Sequence, residues 1–227
     1  MLKLPAEIIR VARNSRLCLI LSILSIISSN FVQGKELVTA CPVVETAENF
    51  DIGSYASASW YSHQQAENAY QPLENNYCVK AEYSVRSKPT LWGYTVDVNN
   101  LAQNEFGDEF GGKLCAYQTS GEVDASKLAV APCFLPKVFA GPYWVVAYNE
   151  DEGFALISGG QPTIPALLES KSTGCRTGTG TNNSGLWIFS RSQERNDTLI
   201  NLVRGIAQDS GFDISVLNDV DQRFCDV

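Results

Sequence analysis

A chain of 227 residues is long enough for one large domain and short for two. Its hydrophobic fraction of 44% and charged fraction of 19% are those of a globular protein, which excludes a disordered or fibrous one. The formal net charge of -8 argues against nucleic-acid binding and against docking on anionic membranes, because a negative surface repels phosphate groups.

The N-terminus is typical of a secretory signal peptide. A basic stretch that ends at Arg16 precedes an apolar run over 17–27, which is shorter than the roughly 20 residues that span a bilayer as a helix. Small residues suited to cleavage follow and end at Gly34. We therefore predict a signal peptide over 1–34 and a single exported domain over 35–227 without stable membrane insertion. An uncleaved signal anchor is the alternative.

The cysteine content agrees with export. One of the seven cysteines, Cys18, lies in the apolar run, and an even number in an exported chain predicts three disulfides among the rest. The sequence alone leaves the fifteen possible pairings open. No C-x-x-C pair occurs and His63 is the only histidine, so we expect no metal and no cofactor. Two glycosylation sequons, at Asn182 and Asn196, fit the same compartment.

After an extended entry over 35–49, the chain offers short strand-like runs bounded by turn-forming residues. The clearest is 91–98, where alternation places Trp92, Tyr94, Val96 and Val98 on one face, as in a half-buried strand. The eight predicted strands are 58–65, 77–86, 91–98, 112–119, 126–133, 142–149, 153–158 and 185–191. Antiparallel strands in this number form either a sandwich or a closed barrel.

A single helix is predicted near the C-terminus. Over 196–209 the apolar residues recur with helical spacing and form one stripe. Ser192 or Asn196 could cap its start, and Gly211 suits its end. The sequence therefore predicts an all-β fold followed by one helix.

Asn49-Phe50-Asp51-Ile52, Tyr55 and Trp60-Tyr61 form a motif near the start of the predicted barrel, with Ala58-Ser59 before Trp60. This motif resembles the first motif of the lipocalin family, and of its apolipoprotein D-like branch in particular, with Ala58-Ser59-Trp60 in place of Gly-x-Trp. Residues 77–84, 141–148 and 154–157 resemble the second, sixth and seventh strands of that branch, and 186–191 resembles the third lipocalin motif. The second motif, Thr-Asp-Tyr, is replaced by residues 148–151. The resemblance covers about 41–227.

The resemblance implies an eight-stranded antiparallel up-and-down β-barrel, the lipocalin calyx, with the helix packed outside. It implies that Trp60 lies across the closed end and that Arg191 stacks on it, a cation–π contact of about 0.5–2 kcal/mol. It also implies the disulfides Cys41–Cys175 and Cys78–Cys225, which leaves Cys115 and Cys133 to pair with each other.

The resemblance implies extracellular binding and transport of a small hydrophobic ligand, such as a fatty acid, sterol, retinoid or pigment. Tyr83 and Trp187 are the expected direct contacts. The full set expected to line the barrel is Tyr83, Trp92, Tyr94, Val96, Leu128, Val130, Trp187 and Phe189. A barrel that these side chains simply fill is the alternative, and the sequence leaves the oligomeric state open.

Catalysis has little support in the sequence. His63 is the only candidate imidazole base, and three disulfides would leave no thiol nucleophile. The glycine-rich stretch 174–180 precedes a strand rather than a helix, which argues against a phosphate-binding loop. The alternative function is a lipocalin-fold enzyme, such as a carotenoid de-epoxidase or an isomerase. A convergent pair of carboxylates inside the barrel would favour it.

Overall fold

The computed structural model describes residues 40–166 and 173–225. The predicted signal peptide, 1–34, lies outside the described residues. The strands are β1 Trp60–Ala66, β2 Tyr77–Val85, β3 Val96–Gln103, β4 Glu109–Gln118, β5 Lys127–Pro132, β6 Gly141–Asn149, β7 Phe154–Ser158, β8 Ile164–Pro165, β9 Cys175–Arg176, β10 Leu186–Ser190 and β11 Leu217–Asp219. The α-helices are α1 Ile52–Tyr55 and α2 Asp197–Asp209.

Eight antiparallel strands close into a barrel. Each of β1 to β6 pairs with the next strand, and β10 closes the ring by pairing with both β7 and β1. β11 adds to β1 outside the closed ring, and β8 and β9 form a separate two-stranded sheet. The predicted up-and-down barrel with a helix outside it is confirmed.

Alternation along the strands separates an interior from an outer face. In β10, Trp187 and Phe189 belong to the interior cluster, whereas Leu186 and Ile188 belong to the outer one. Neighbouring strands follow the same rule, since Tyr83 of β2 lies opposite Val98 of β3 in the interior. The inward-facing side chains of β10 therefore line the barrel lumen, and its outward-facing side chains pack with α2.

The helix α2 packs its apolar stripe on the outer face of β7 and β10. Ile200, Val203 and Ala207 are buried on that side. Asn196, rather than Ser192, is the N-cap, because its side-chain oxygen accepts from the backbone N–H groups of Thr198 and Leu199, both at 3.1 Å. Among the described helices, none is long and apolar enough to cross a membrane.

The predicted third strand is wrong in position, because β3 begins at Val96 and not at residue 91. Residues 90–94 form a turn, in which the Gly93 N–H donates to the Thr90 carbonyl at 2.8 Å. Gly93 has φ +82°, a conformation that glycine adopts without strain and a strand residue does not. The alternation that predicted a strand over 91–98 is therefore interrupted, and Trp92 and Tyr94 leave the barrel wall.

Three disulfides join Cys41 to Cys175, Cys78 to Cys225 and Cys115 to Cys133. These are the pairs that the resemblance implies. The first fastens the segment before α1 to β9, and the second fastens the C-terminal segment to β2. A disulfide thus fastens each end of the described chain, the first to the separate β8–β9 sheet and the second to the barrel.

Candidate functional site

One end of the barrel is closed by a stack around Trp60. Its side chain is fully buried, and its indole N–H donates to the Tyr55 carbonyl at 2.9 Å. The Tyr55 ring stacks on the indole with centroids 5.1 Å apart. The guanidinium carbon of Arg191 lies 3.7 Å from the centre of the Trp60 ring, so the expected cation–π contact is present.

Arg191 also fastens α1 and the residues that follow it to the barrel. Its guanidinium donates to the carbonyls of Ser54 (2.9 Å), Tyr55 (3.1 Å) and Ala58, and pairs with Glu150 at 2.8 Å. Burial raises the pKa of Glu150, but the hydrogen bonds from Arg191 and Tyr148 and the charge of Arg191 together outweigh it, so the pKa lies below its ordinary value. Glu150, which was not predicted as a site residue, lies in the turn 148–151 that replaces the Thr-Asp-Tyr motif.

Six of the eight predicted lining residues lie together in the barrel. Five are buried in the interior cluster and Val130 packs against it from β5; the five are Tyr83, Val96, Leu128, Trp187 and Phe189. Gly185, at φ +103°, has no room for a Cβ because the Trp187 indole would meet it at 2.0 Å. This glycine lets the indole lie along the strand.

The inward-facing side chains differ in how far they are buried. Leu114, Val130 and Tyr143 face inward from the neighbouring strands β4, β5 and β6, and all three remain partly exposed. By contrast, Tyr83 of β2 and Val98 of β3 are buried. The side chains of the interior are therefore less enclosed towards β4, β5 and β6 than towards β2 and β3, and we call the barrel interior the chamber.

Two predicted lining residues are not in the chamber. Trp92 is 43% exposed, and its indole N–H donates to the Phe134 carbonyl at 3.0 Å. Tyr94 is buried with Cys115 and Ala131, which point away from the lumen. The expectation that Trp92 and Tyr94 line the barrel is wrong, because the turn at Gly93 folds both across its outer face.

A chain of three tyrosine hydroxyls lies inside the barrel. The Tyr143 hydroxyl is 2.6 Å from that of Tyr55 and 2.7 Å from that of Tyr83. Burial raises the pKa of Tyr83 to about 12 and raises those of Tyr55 and Tyr143 well above the ordinary value. All three are therefore neutral near pH 7. Only Tyr83 was predicted, although the alternation of Tyr143 with Val145 in β6 also indicates an inward side chain.

Among the described residues, the groups to consider for catalysis or metal binding are His63, the buried carboxylate of Asp213, and the set of Asp97, Cys115 and Cys133. His63 is 1% exposed. Its Nε2 atom lies 2.9 Å from the carbonyl oxygen of Ser192, which belongs to the linker between β10 and α2. Of the described carboxylates only Asp213 is buried, and it accepts from Ser215, so the described interior holds no convergent carboxylate pair. Asp97 lies close to Cys115 and Cys133, but those sulfurs are in a disulfide and are poor metal ligands.

A surface cleft of about 1080 Å³ lies outside the barrel, between the linker after β10 and the C-terminal segment. Its lining is mixed, with Arg195, Asp219 and Arg223 beside Leu73, Tyr77 and Val220. The interior cluster, which is aromatic and aliphatic, suits an apolar ligand better. The chamber remains the candidate site.

The barrel resembles several solved structures. The major allergen Per a 4 from cockroaches is 12% identical with a TM-score of 0.52, over 80% of this chain and 94% of the allergen. Apocrustacyanin C1 is 16% identical (TM-score 0.53, 81% and 89%), and lobster apocrustacyanin A1 is 18% identical (0.51, 79% and 91%). No protein-family model and no curated protein matches the sequence. The chain has the lipocalin fold.

Proposed function

We propose that this protein binds and transports a small hydrophobic ligand in the chamber. The observation that carries the proposal is the barrel interior itself: aromatic and aliphatic side chains dominate its cluster, and Trp60 and Arg191 stack at one end. Binding sites for small molecules are mostly apolar concavities with few polar groups. The ligand contacts are Tyr83, Val96, Leu128, Val130, Trp187 and Phe189.

We also propose that the protein is a secreted lipocalin of the apolipoprotein D-like branch. The motifs over 77–84 and 141–148 support the branch. Three disulfides fit an oxidising compartment, and the signal peptide over 1–34 would direct the domain 35–227 there. Asn182 and Asn196 are both exposed, as glycosylation requires.

Replacing Trp187 tests the chamber directly. The indole is 8% exposed among interior side chains, so Trp187→Ala should weaken ligand binding by about 1–3 kcal/mol. Displacement of an environment-sensitive dye by fatty acids, sterols, retinoids and carotenoids would measure the affinities.

Trp92→Ala is the matched control, because it removes a tryptophan from the outer face. It should leave every affinity unchanged. Equal losses in the two variants, or no binding of any dye or ligand to the wild type, would contradict the proposal.

A further inference from the structure

One segment of the barrel wall has a neighbouring strand on one side only. The strand β4 pairs with β3 from Glu109 onwards, but with β5 only from Leu114 onwards. Within the part of the chain that the structure describes, residues 109–113 therefore have no strand on their second side, and all five are exposed. We call them the free edge. An unpaired edge presents backbone N–H and C=O groups to any strand that lies beside it.

The backbone groups of β4 point alternately towards β3 and towards β5. The Ala116 carbonyl accepts from the N–H of Thr95 on the β3 side at 3.0 Å, and Thr119 donates to the Lys127 carbonyl of β5 at 2.9 Å. In an antiparallel ladder this alternation repeats at every second residue. The pairing of β3 with β4 continues without a register shift to the end of the free edge. Its first, third and fifth residues therefore direct their N–H and C=O groups away from β3.

The sequence of the free edge is complementary to itself. In an antiparallel pair of two copies centred on Gly111, Glu109 of one copy lies opposite Lys113 of the other, and Phe110 lies opposite Gly112. Oppositely charged cross-strand pairs are favourable. A Cβ at Gly112 would meet no atom within 4 Å, so the space beside this residue is open to the facing aromatic ring. At Gly111 a Cβ would lie 2.1 Å from a carbonyl oxygen of β3, so the centre of the edge carries no side chain.

The length of the free edge also fits a second copy. At one end the chain leaves the sheet in the turn 104–108, where Asn104 donates to the Asp108 carbonyl at 3.2 Å. At the other end β5 begins beside Leu114. In the register centred on Gly111, Leu114 of the second copy lies opposite Asp108 of the first. The β5 strand of each copy thus begins where the other copy turns away.

We propose that two copies of this protein associate through their free edges, as an antiparallel pair with a two-fold axis at Gly111. Such an interface is isologous, so each copy supplies the same strand. It places two chambers side by side, which goes beyond the binding of one ligand by one chain. Because the shared strand is short, the dimer is a weak one, with a dissociation constant between about 1 μM and 1 mM.

Charge reversal tests the register. Sedimentation velocity in about 0.15 M salt, which screens the repulsion between two acidic copies, would give the dissociation constants. Glu109→Lys should weaken the dimer at least about fivefold, because two like-charged pairs replace two attractive ones. Lys113→Glu should do the same, and the variant with both reversals should regain the wild-type constant. Lys88→Glu is the matched control, since it makes the same charge change in an exposed turn between β2 and β3.

The amide resonances of the wild type locate the interface. Those of residues 109–113 should shift as the protein concentration rises, and those around Lys88 should not. A monomer at about 1 mM, a dimer that neither reversal weakens, or a double reversal no tighter than the single ones would overturn the proposal. Concentration-dependent shifts confined to another surface would overturn it as well. If a variant does not fold, these wild-type resonances decide.

Discussion

The side chain of Arg191 connects the last strand of the barrel, β10, to the first strand, β1. It follows β10, stacks on the first residue of β1, and donates to carbonyls on either side of the end of α1. Its side chain is 15% exposed, so much of the interaction with Trp60 and Glu150 takes place away from water. We therefore expect Trp60 and Arg191 to act as one energetic unit.

A double-mutant cycle measures that coupling. Trp60→Ala should lower the free energy of unfolding by about 3–5 kcal/mol, because it empties a fully buried aromatic site. Arg191→Ala should cost less, and the double variant should cost less than the sum by about 0.5 kcal/mol or more. Urea unfolding would supply all three values, and strictly additive losses would contradict the stacking account. Glu150→Gln, a partly exposed partner, should cost at most about 1 kcal/mol.

His63 should make stability depend on pH. Burial lowers its pKa, and Arg195 lowers it further, against the raising effects of the Ser192 carbonyl and Asp197. Because the unfolded chain takes up the proton near pH 6.5 and the native state only at lower pH, stability is retained above pH 6.5 and falls below it.

Urea unfolding at pH 7.5 and pH 5.5 would show this fall in the wild type. His63→Gln should reduce it, because the amide can still donate to the Ser192 carbonyl without titrating. Paired carboxylates such as Glu150 and Asp219 have lowered pKa values, so their contributions are lost at more acidic pH. An unchanged difference between the two pH values in His63→Gln would rule out this histidine as the source.

At the scale of elements, the sequence predicted eight barrel strands and the outer helix, because alternation and helical spacing report local burial. The start of β3 was predicted wrongly, since Trp92 and Tyr94 satisfy the alternation and yet lie in the turn around Gly93. Alternation groups side chains on one face of an assumed strand and does not show where a turn interrupts it. The contacts of Glu150 and Tyr143 join residues far apart in the chain, so no local pattern could reveal them.

The start of α2 gives a prediction for one element. Asn196→Ala removes the acceptor for two backbone N–H groups and should lower the free energy of unfolding by about 1 kcal/mol. Asn196→Asp keeps an acceptor there and should retain most of the stability. Both variants should be compared in protein made without glycosylation, because Asn196 is also a sequon. Equal losses from alanine and aspartate would contradict the capping account.

At the scale of the whole molecule, the disulfides differ in the length of chain that they close. Cys41–Cys175 spans 134 residues and Cys115–Cys133 spans 18. In the chain-entropy description, such loops correspond to about 5 and about 3 kcal/mol. Replacing both cysteines of the longer loop by alanine should therefore reduce stability more than the same change in the shorter one. Denaturation midpoints would show the order, and the reverse order would contradict an entropic origin.

Native mass spectrometry of the purified protein, incubated with the panel of fatty acids, sterols, retinoids and carotenoids, tests the central claim most directly. A chamber closed at one end by Trp60 and Arg191 predicts a complex of one chain with one ligand, which dissociates when the barrel unfolds. The uncomplexed mass with every member of the panel would contradict the account. It would mean that the inward side chains fill the barrel and leave no room for a ligand.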